Sequence, residues 1–163
     1  MEQNDHDVGG TRAAARLWIP LLAAYTGARI VDLAALRRED CEHDEGGWSI
    51  RFDGATRAAR RQLPLHRTIV AMKFPDFVER RPPGLLFAED DVSIPRVAKA
   101  AMVGAKLGAL DLRRRFLKAM RAAGAETDVV SAILGRPPEF DKFGFKYPLA
   151  FLREAIERLP EFV

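Results

Sequence analysis

At 163 residues, with 48% hydrophobic and 30% charged side chains, the chain is sized for one domain with a real core. Its single cysteine, Cys41, excludes an internal disulfide framework and fits a reducing cytosol, so a cytoplasmic location is expected. The longest apolar run, around Leu17 to Tyr25, is too short and interrupted to span a bilayer, and no signal peptide opens the chain, so no membrane is expected as a partner.

Net charge is +3, but its distribution matters more than its total. Five arginines face Asp53 between Arg51 and Arg67, and four arginines and a lysine face one aspartate between Asp111 and Arg121. Such clusters are either a solvated face or the footprint of a polyanion partner.

In chain order, residues 1–10, with Gly9-Gly10, read as a mobile tail. A helix is predicted from Thr11 to about Thr26, with Ala14, Leu17, Trp18, Leu21, Leu22 and Tyr25 on its apolar face and Pro20 as an interruption. Gly27 makes a turn. A second helix follows from about Ala28 to Leu36, burying Ile30, Leu33, Ala34 and Leu36, with Asp32 placed to pair with Arg29. Glu39 to Gly47 reads as a polar turn holding His43. Trp48 to Phe52 alternates as a strand, and Arg61 to Leu65 reads as its returning partner. Arg57, Arg60 and Arg61 then lie near the tip or return of this hairpin.

His66 to Phe77 predicts a helix, Arg80 to Gly84 a linker, and Ser93 to Leu107 another helix with Ala105 inside and Pro95 early, where helix starts tolerate it. A last amphipathic helix runs from Leu149 to Leu159. The three histidines, His6, His43 and His66, read as surface or structural, and no dense set of metal ligands appears.

Residues 109–136 organise the chain. They read as two short helices joined at Gly124, the first burying Leu112, Phe116, Ala119, Met120 and Ala123. Arg113 sits at the border of that apolar face while Arg114 points away. A half-desolvated arginine wants an anion, a protein carboxylate or a phosphate; otherwise it is a snorkelling cap on the core. The second helix runs from about Thr127 to Leu134, with Glu126, Thr127 and Asp128 as N-terminal acceptors. Gly135 stops it, with Pro137 and Pro138 beyond, so Arg136 lies on a turn past a helix end.

Two boxes carry a resemblance. Thr26-Gly27-Ala28-Arg29-Ile30-Val31-Asp32-Leu33-Ala34-Ala35-Leu36 resembles the segment that holds the first catalytic arginine of tyrosine recombinases (phage integrases). Leu110-Asp111-Leu112-Arg113, a helix, Gly124 and Leu134-Gly135-Arg136 resemble that family's His-x-x-Arg box, helix, glycine and Leu-Gly-His turn. Arg61-Gln62-Leu63-Pro64-Leu65 is similar to the strand that ends its small sheet. The resemblance covers about residues 12–160 and implies a mainly α chain with a small antiparallel β-sheet (α+β), the fold of DNA breaking-rejoining enzymes. Residues 11–163 would be the catalytic domain, without an N-terminal core-binding domain.

The family's reaction is phosphoryl transfer on DNA: a tyrosine attacks the scissile phosphodiester, arginines and histidines neutralise the transition state, and a lysine protonates the leaving oxygen. The resemblance puts Arg29 and Arg113 at the two arginine positions, and Arg114 and Arg136 where histidines are frequent. Arg57, Arg60, Arg61 and Arg114 would hold DNA phosphates. Leu110 replaces the box histidine, and the lysine's place falls near Ala55, with Arg57 the closest cation. A guanidinium there binds phosphate but is a poor proton donor. The nucleophile position falls on Phe143, or on Phe145 by the more common spacing, and neither has an oxygen. Tyr147 is the alternative nucleophile; otherwise it is structural.

Three functions remain open: a DNA-binding domain impaired in cleavage, an active strand-transferase using Tyr147, or a protein-interaction module on the same fold. The implied partners are double-stranded DNA and further copies of the chain on it, with no metal and no small-molecule cofactor.

Overall fold

The computed structural model describes residues 5–54, 56, 58–89, 92–136 and 146–162, with the backbone alone at 5–9. Helices α1 (Asp5–Thr26) and α2 (Ile30–Ala34) lead through a 3-10 turn (Arg38–Asp40) into strands β1 (Cys41–Asp44), β2 (Gly47–Phe52) and β3 (Arg61–Pro64). Helices α3 (Arg67–Ala71), α4 (Phe74–Arg80), α5 (Ile94–Ala101), α6 (Ala109–Ala122), α7 (Thr127–Leu134) and α8 (Leu149–Glu157) complete the described chain. It is the mainly α arrangement with a small antiparallel sheet that the sequence predicts.

Helix α1 is the central post, packed by α2, α5 and α6. Its buried stripe is Ala15, Trp18, Ile19, Leu22 and Ala23, at the spacing of one helical face. That stripe excludes Leu17, which is 50% exposed despite the expectation, because it lies about 200° around the helix from Ala15. Tyr25, Leu33, Phe116, Met120 and Ile156 close the same core with no exposed surface. The helix starts at Asp5 rather than Thr11. Residues 5–10 of the supposed tail are therefore helical, since a Gly pair costs a helix only about 1 kcal/mol each and does not veto it. The helix also continues through Pro20.

The sheet order is β1-β2-β3, antiparallel throughout, with Ile50 paired to Leu63 and both fully buried. Strand β1 corrects the reading of Glu39 to Gly47 as a turn, and it places His43 opposite Trp48 in the ladder. Beyond Cys41, which packs against the core, its side chains are Glu42, His43 and Asp44, the last two exposed, so its strand character comes from backbone pairing with β2 and not from its own pattern. The predicted helix His66 to Phe77 divides into α3 and α4, with Lys73 at φ 71° between them. The left-handed backbone of Lys73 separates the two helices, and Pro75 sits in the first turn of α4, where its missing N–H leaves no helical hydrogen bond unmade. Helix α5 stops at Ala101, short of the predicted Leu107, and Ala105 is exposed.

The C-terminal segment returns to α1. His66 is buried, accepts from the Thr68 amide at Nδ1 (3.1 Å), and faces the Leu159 carbonyl at Nε2 (3.1 Å). A carbonyl accepts only, so Nε2 carries the proton. The ring stacks on Tyr25 at 4.5 Å, and the Tyr25 hydroxyl accepts from the Phe162 amide at 2.7 Å.

Candidate functional site

Gly27 explains how segments far apart in sequence meet. It ends α1 at φ 66°, a left-handed conformation that favours glycine. A Cβ there would lie 2.4 Å from Cδ1 of Phe116 on α6 and 2.7 Å from Cδ2 of Leu134 on α7. The turn before Arg29 is therefore pressed onto the residue one turn after Arg113 and onto the helix end before Arg136.

Arg29 is the N-cap residue of α2 and largely exposed, its Nε 3.0 Å from Oδ2 of Asp32. That pair, expected from the sequence, is worth at most about 1 kcal/mol at such exposure, so an incoming anion can compete for the arginine. Arg113 is half-buried on α6, and its Nε is shielded from solvent with no hydrogen-bond partner among the described residues. Leaving such a donor unpaired costs about 1–3 kcal/mol. Desolvation lowers its pKa first, then the positive charges of Arg136 and Arg29, with Asp32 opposing. Arg136 is exposed immediately past Gly135, which caps α7 at φ 72°, and its amide donates to the Ser131 carbonyl at 2.9 Å. The expected side-chain cap at the other end of α7 is not made: Glu126 is the N-cap residue but forms no capping hydrogen bond.

Arg61 belongs to the same electrostatic neighbourhood. Burial pushes its pKa down to about 10, Asp32 opposes, and Arg113 and Arg29 push it further down. Arg29, Arg61 and Arg113 thus share the influence of one carboxylate, Asp32, while Arg136 adds its charge beside Arg113. Arg61 is not presented outward as a phosphate ligand would be. Its Nε donates to the Ile133 carbonyl at 2.7 Å, its Nη1 to the Ala59 carbonyl at 2.8 Å, and its guanidinium lies 4.6 Å over the Phe52 ring. Arg60 and Arg114 are exposed. The Arg60 carbonyl accepts from Nζ of Lys146 at 2.5 Å, a cation at the hairpin return that no sequence pattern singled out. Arg57 and Ala55, and Phe143 and Phe145, lie outside the described residues.

Tyr147 stacks its ring on Phe151 with centroids 5.1 Å apart. Its pKa is raised, by desolvation first and then by Asp128 and Glu126. Those carboxylates mark the N-terminal end of α7, whereas Arg136 follows its C-terminal end, about 12 Å away along an eight-residue helix. Neighbouring carboxylates disfavour a phenolate, the opposite of what a nucleophile needs.

Among the described residues no helix is long and apolar enough to cross a membrane, and no group of His, Cys, Asp and Glu could hold a metal ion.

No protein-family model and no curated protein sequence matches this chain. Among solved structures, the integrase from mycobacterium phage Brujita is similar, with a TM-score of 0.66 and 23% identity over 94% of this chain. The match covers 53% of that integrase, so this chain spans about half its length. The chain therefore has an integrase-like α+β fold.

Proposed function

We propose that this chain is a DNA-binding domain on an integrase-like fold, holding a backbone phosphate with Arg29, Arg113 and Arg136 and impaired in strand cleavage. The observation that carries the reading is the Nε of Arg113, buried and unpartnered among guanidinium groups that outnumber their one carboxylate. An arrangement of fixed cations with an unused donor suits an oxyanion: a phosphate oxygen would satisfy the donor and offset the mutual repulsion. Arg60 and Arg114 add sequence-independent attraction along the duplex, as would Arg57.

Cleavage needs an oxygen in line with the phosphorus and a proton donor for the leaving group. The aligned nucleophile position is Phe143, and the lysine position falls near Ala55. Asp128 and Glu126 raise the Tyr147 hydroxyl's pKa and disfavour its phenolate, which argues against its serving instead. The partner is double-stranded DNA, with further copies of the chain assembling on it. The proposed action on DNA requires no metal or small-molecule cofactor, and the cytoplasm is its proposed place.

The test pairs two assays. Duplex DNA is titrated at several salt concentrations; affinity falling steeply with salt is expected, and no binding at low salt would favour a protein-interaction module instead. A nicked suicide duplex is then incubated with the protein. No covalent adduct is expected; an adduct that disappears in Tyr147→Phe would establish an active strand-transferase.

A further inference from the structure

Arg61 enters β3 where the hairpin returns past the end of α7. The Ile133 carbonyl is one of the last four of that helix, which have no partner within it. The Gly135 amide returns to Ala132 (3.2 Å) and the Arg136 amide to Ser131 (2.9 Å), leaving Ile133 for Arg61. The guanidinium is fixed from three sides: the Ile133 carbonyl, the Ala59 carbonyl of its own strand entry, and the Phe52 ring beneath. It also abuts the turn itself, since a Cβ on Gly135 would lie 2.7 Å from Nη1 and 2.9 Å from Cζ. A planar fork spans two carbonyls in fixed directions; an ammonium group, a single point on a flexible stem, does not.

We propose that Arg61 is a positioning residue: it ties the sheet to the last turn of α7, fixes where Arg136 stands relative to Arg113, and does not itself contact DNA. This replaces the phosphate-ligand role that the sequence assigns to Arg61. Its DNA arm rests on the phosphate-pocket reading; its structural arm does not.

The test uses the full chain with Arg61→Lys and Arg61→Met, each with and without Arg136→Ala. Amide hydrogen exchange in the free protein reads the turn directly. Gly135 and Arg136 are expected to exchange about tenfold faster in Arg61→Lys, while Ile50 and Leu63 in the sheet keep their protection. Duplex affinity at fixed salt is expected to fall about tenfold in both single variants, because keeping the charge does not restore the fork. Adding Arg136→Ala to Arg61→Lys is expected to cost nothing further, the signature of two residues acting as one unit.

Unchanged exchange at Gly135 and Arg136 would overturn the proposal. So would wild-type affinity in Arg61→Lys with loss in Arg61→Met, which would make Arg61 a phosphate ligand, or losses that add with Arg136→Ala. If the wild-type chain does not bind DNA, the phosphate-pocket reading fails, and the exchange measurement still decides whether Arg61 holds the turn. If Arg61→Met does not fold, Arg61→Lys alone carries each comparison.

Discussion

Gly27 and Phe116 stand so close that a single added methyl on the glycine would sit 2.4 Å from the ring's Cδ1. The contact joins α1 to α6 at the level of the arginines, and the same turn rests on Leu134 at the end of α7. Gly27→Ala would add the strain of a left-handed backbone to the overpacking of a closed core. Together these cost about 2–5 kcal/mol. Thermal unfolding is expected to shift down by roughly 5–15 °C, and the folded fraction to bind DNA less tightly because Arg29 is displaced from Arg113. A stable variant with wild-type affinity would show that the arginine segments do not depend on this contact.

Arg113 offers a sharper test of the pocket. Arg113→Ala is expected to weaken duplex binding at every sequence and to lower the slope of log affinity against log salt by about 1, the effect of one lost phosphate contact. Inorganic phosphate is expected to raise the thermal midpoint of the wild-type chain and to do so far less in Arg113→Ala, since a ligand stabilises only the state that binds it. Equal phosphate shifts in both proteins would place the anion elsewhere.

His66 gives the fold a pH dependence whose sign follows from its burial. Desolvation lowers its pKa first; Glu157 and the Leu159 carbonyl oppose, Arg67 assists, and Glu161 opposes. The unfolded chain, with an ordinary value near 6.5, then takes the proton more readily than the folded one. Stability carried by neutral His66 is present above about pH 6.5 and is lost as the pH falls through the lowered folded value. Protonating Nδ1 also turns the acceptor for the Thr68 amide into a donor facing a donor. The denaturant midpoint is expected to drop between pH 7 and pH 5, and His66→Asn to lessen that drop at a lower overall stability. An unchanged pH dependence in the variant would assign the effect to other groups.

Cys41 is expected to be inert in the folded protein. Burial, helped by the neighbouring charge of Asp40, pushes its thiol up to about 12. The thiolate population at pH 8 is then on the order of a thousandfold below that of a free thiol. Alkylation by iodoacetamide should be slow in buffer and fast in denaturant; equal rates would mean that the strand carrying Cys41 opens readily.

The helices around the arginine boxes are legible because their apolar residues recur at helical spacing. Leu112, Phe116 and Met120 on α6, and Ile30, Leu33, Ala34 and Leu36 at α2, are buried as that period demands. Strand β1 is not legible: Glu42, His43 and Asp44 carry no alternation, and their pairing with Ser49, Trp48 and Gly47 exists only once β2 is beside them. Leu17 and Ile19 look equally apolar in a list of letters, and only the packing of α1 shows which faces the core.

What the sequence by itself determined is local: which stretches are amphipathic, that a glycine stands before Arg29 and another before Arg136, and that Phe143 and Phe145 carry no side-chain oxygen. Those properties depend on a residue and its near neighbours along the chain. The tertiary structure alone decided that Arg61 turns inward to two backbone carbonyls, that Arg113 keeps a buried donor unspent, and that Tyr147 lies with Glu126 and Asp128. Whether a charged group is satisfied depends on which atoms the folded chain brings within reach, and the Ile133 carbonyl that accepts from Arg61 lies 72 residues along the chain.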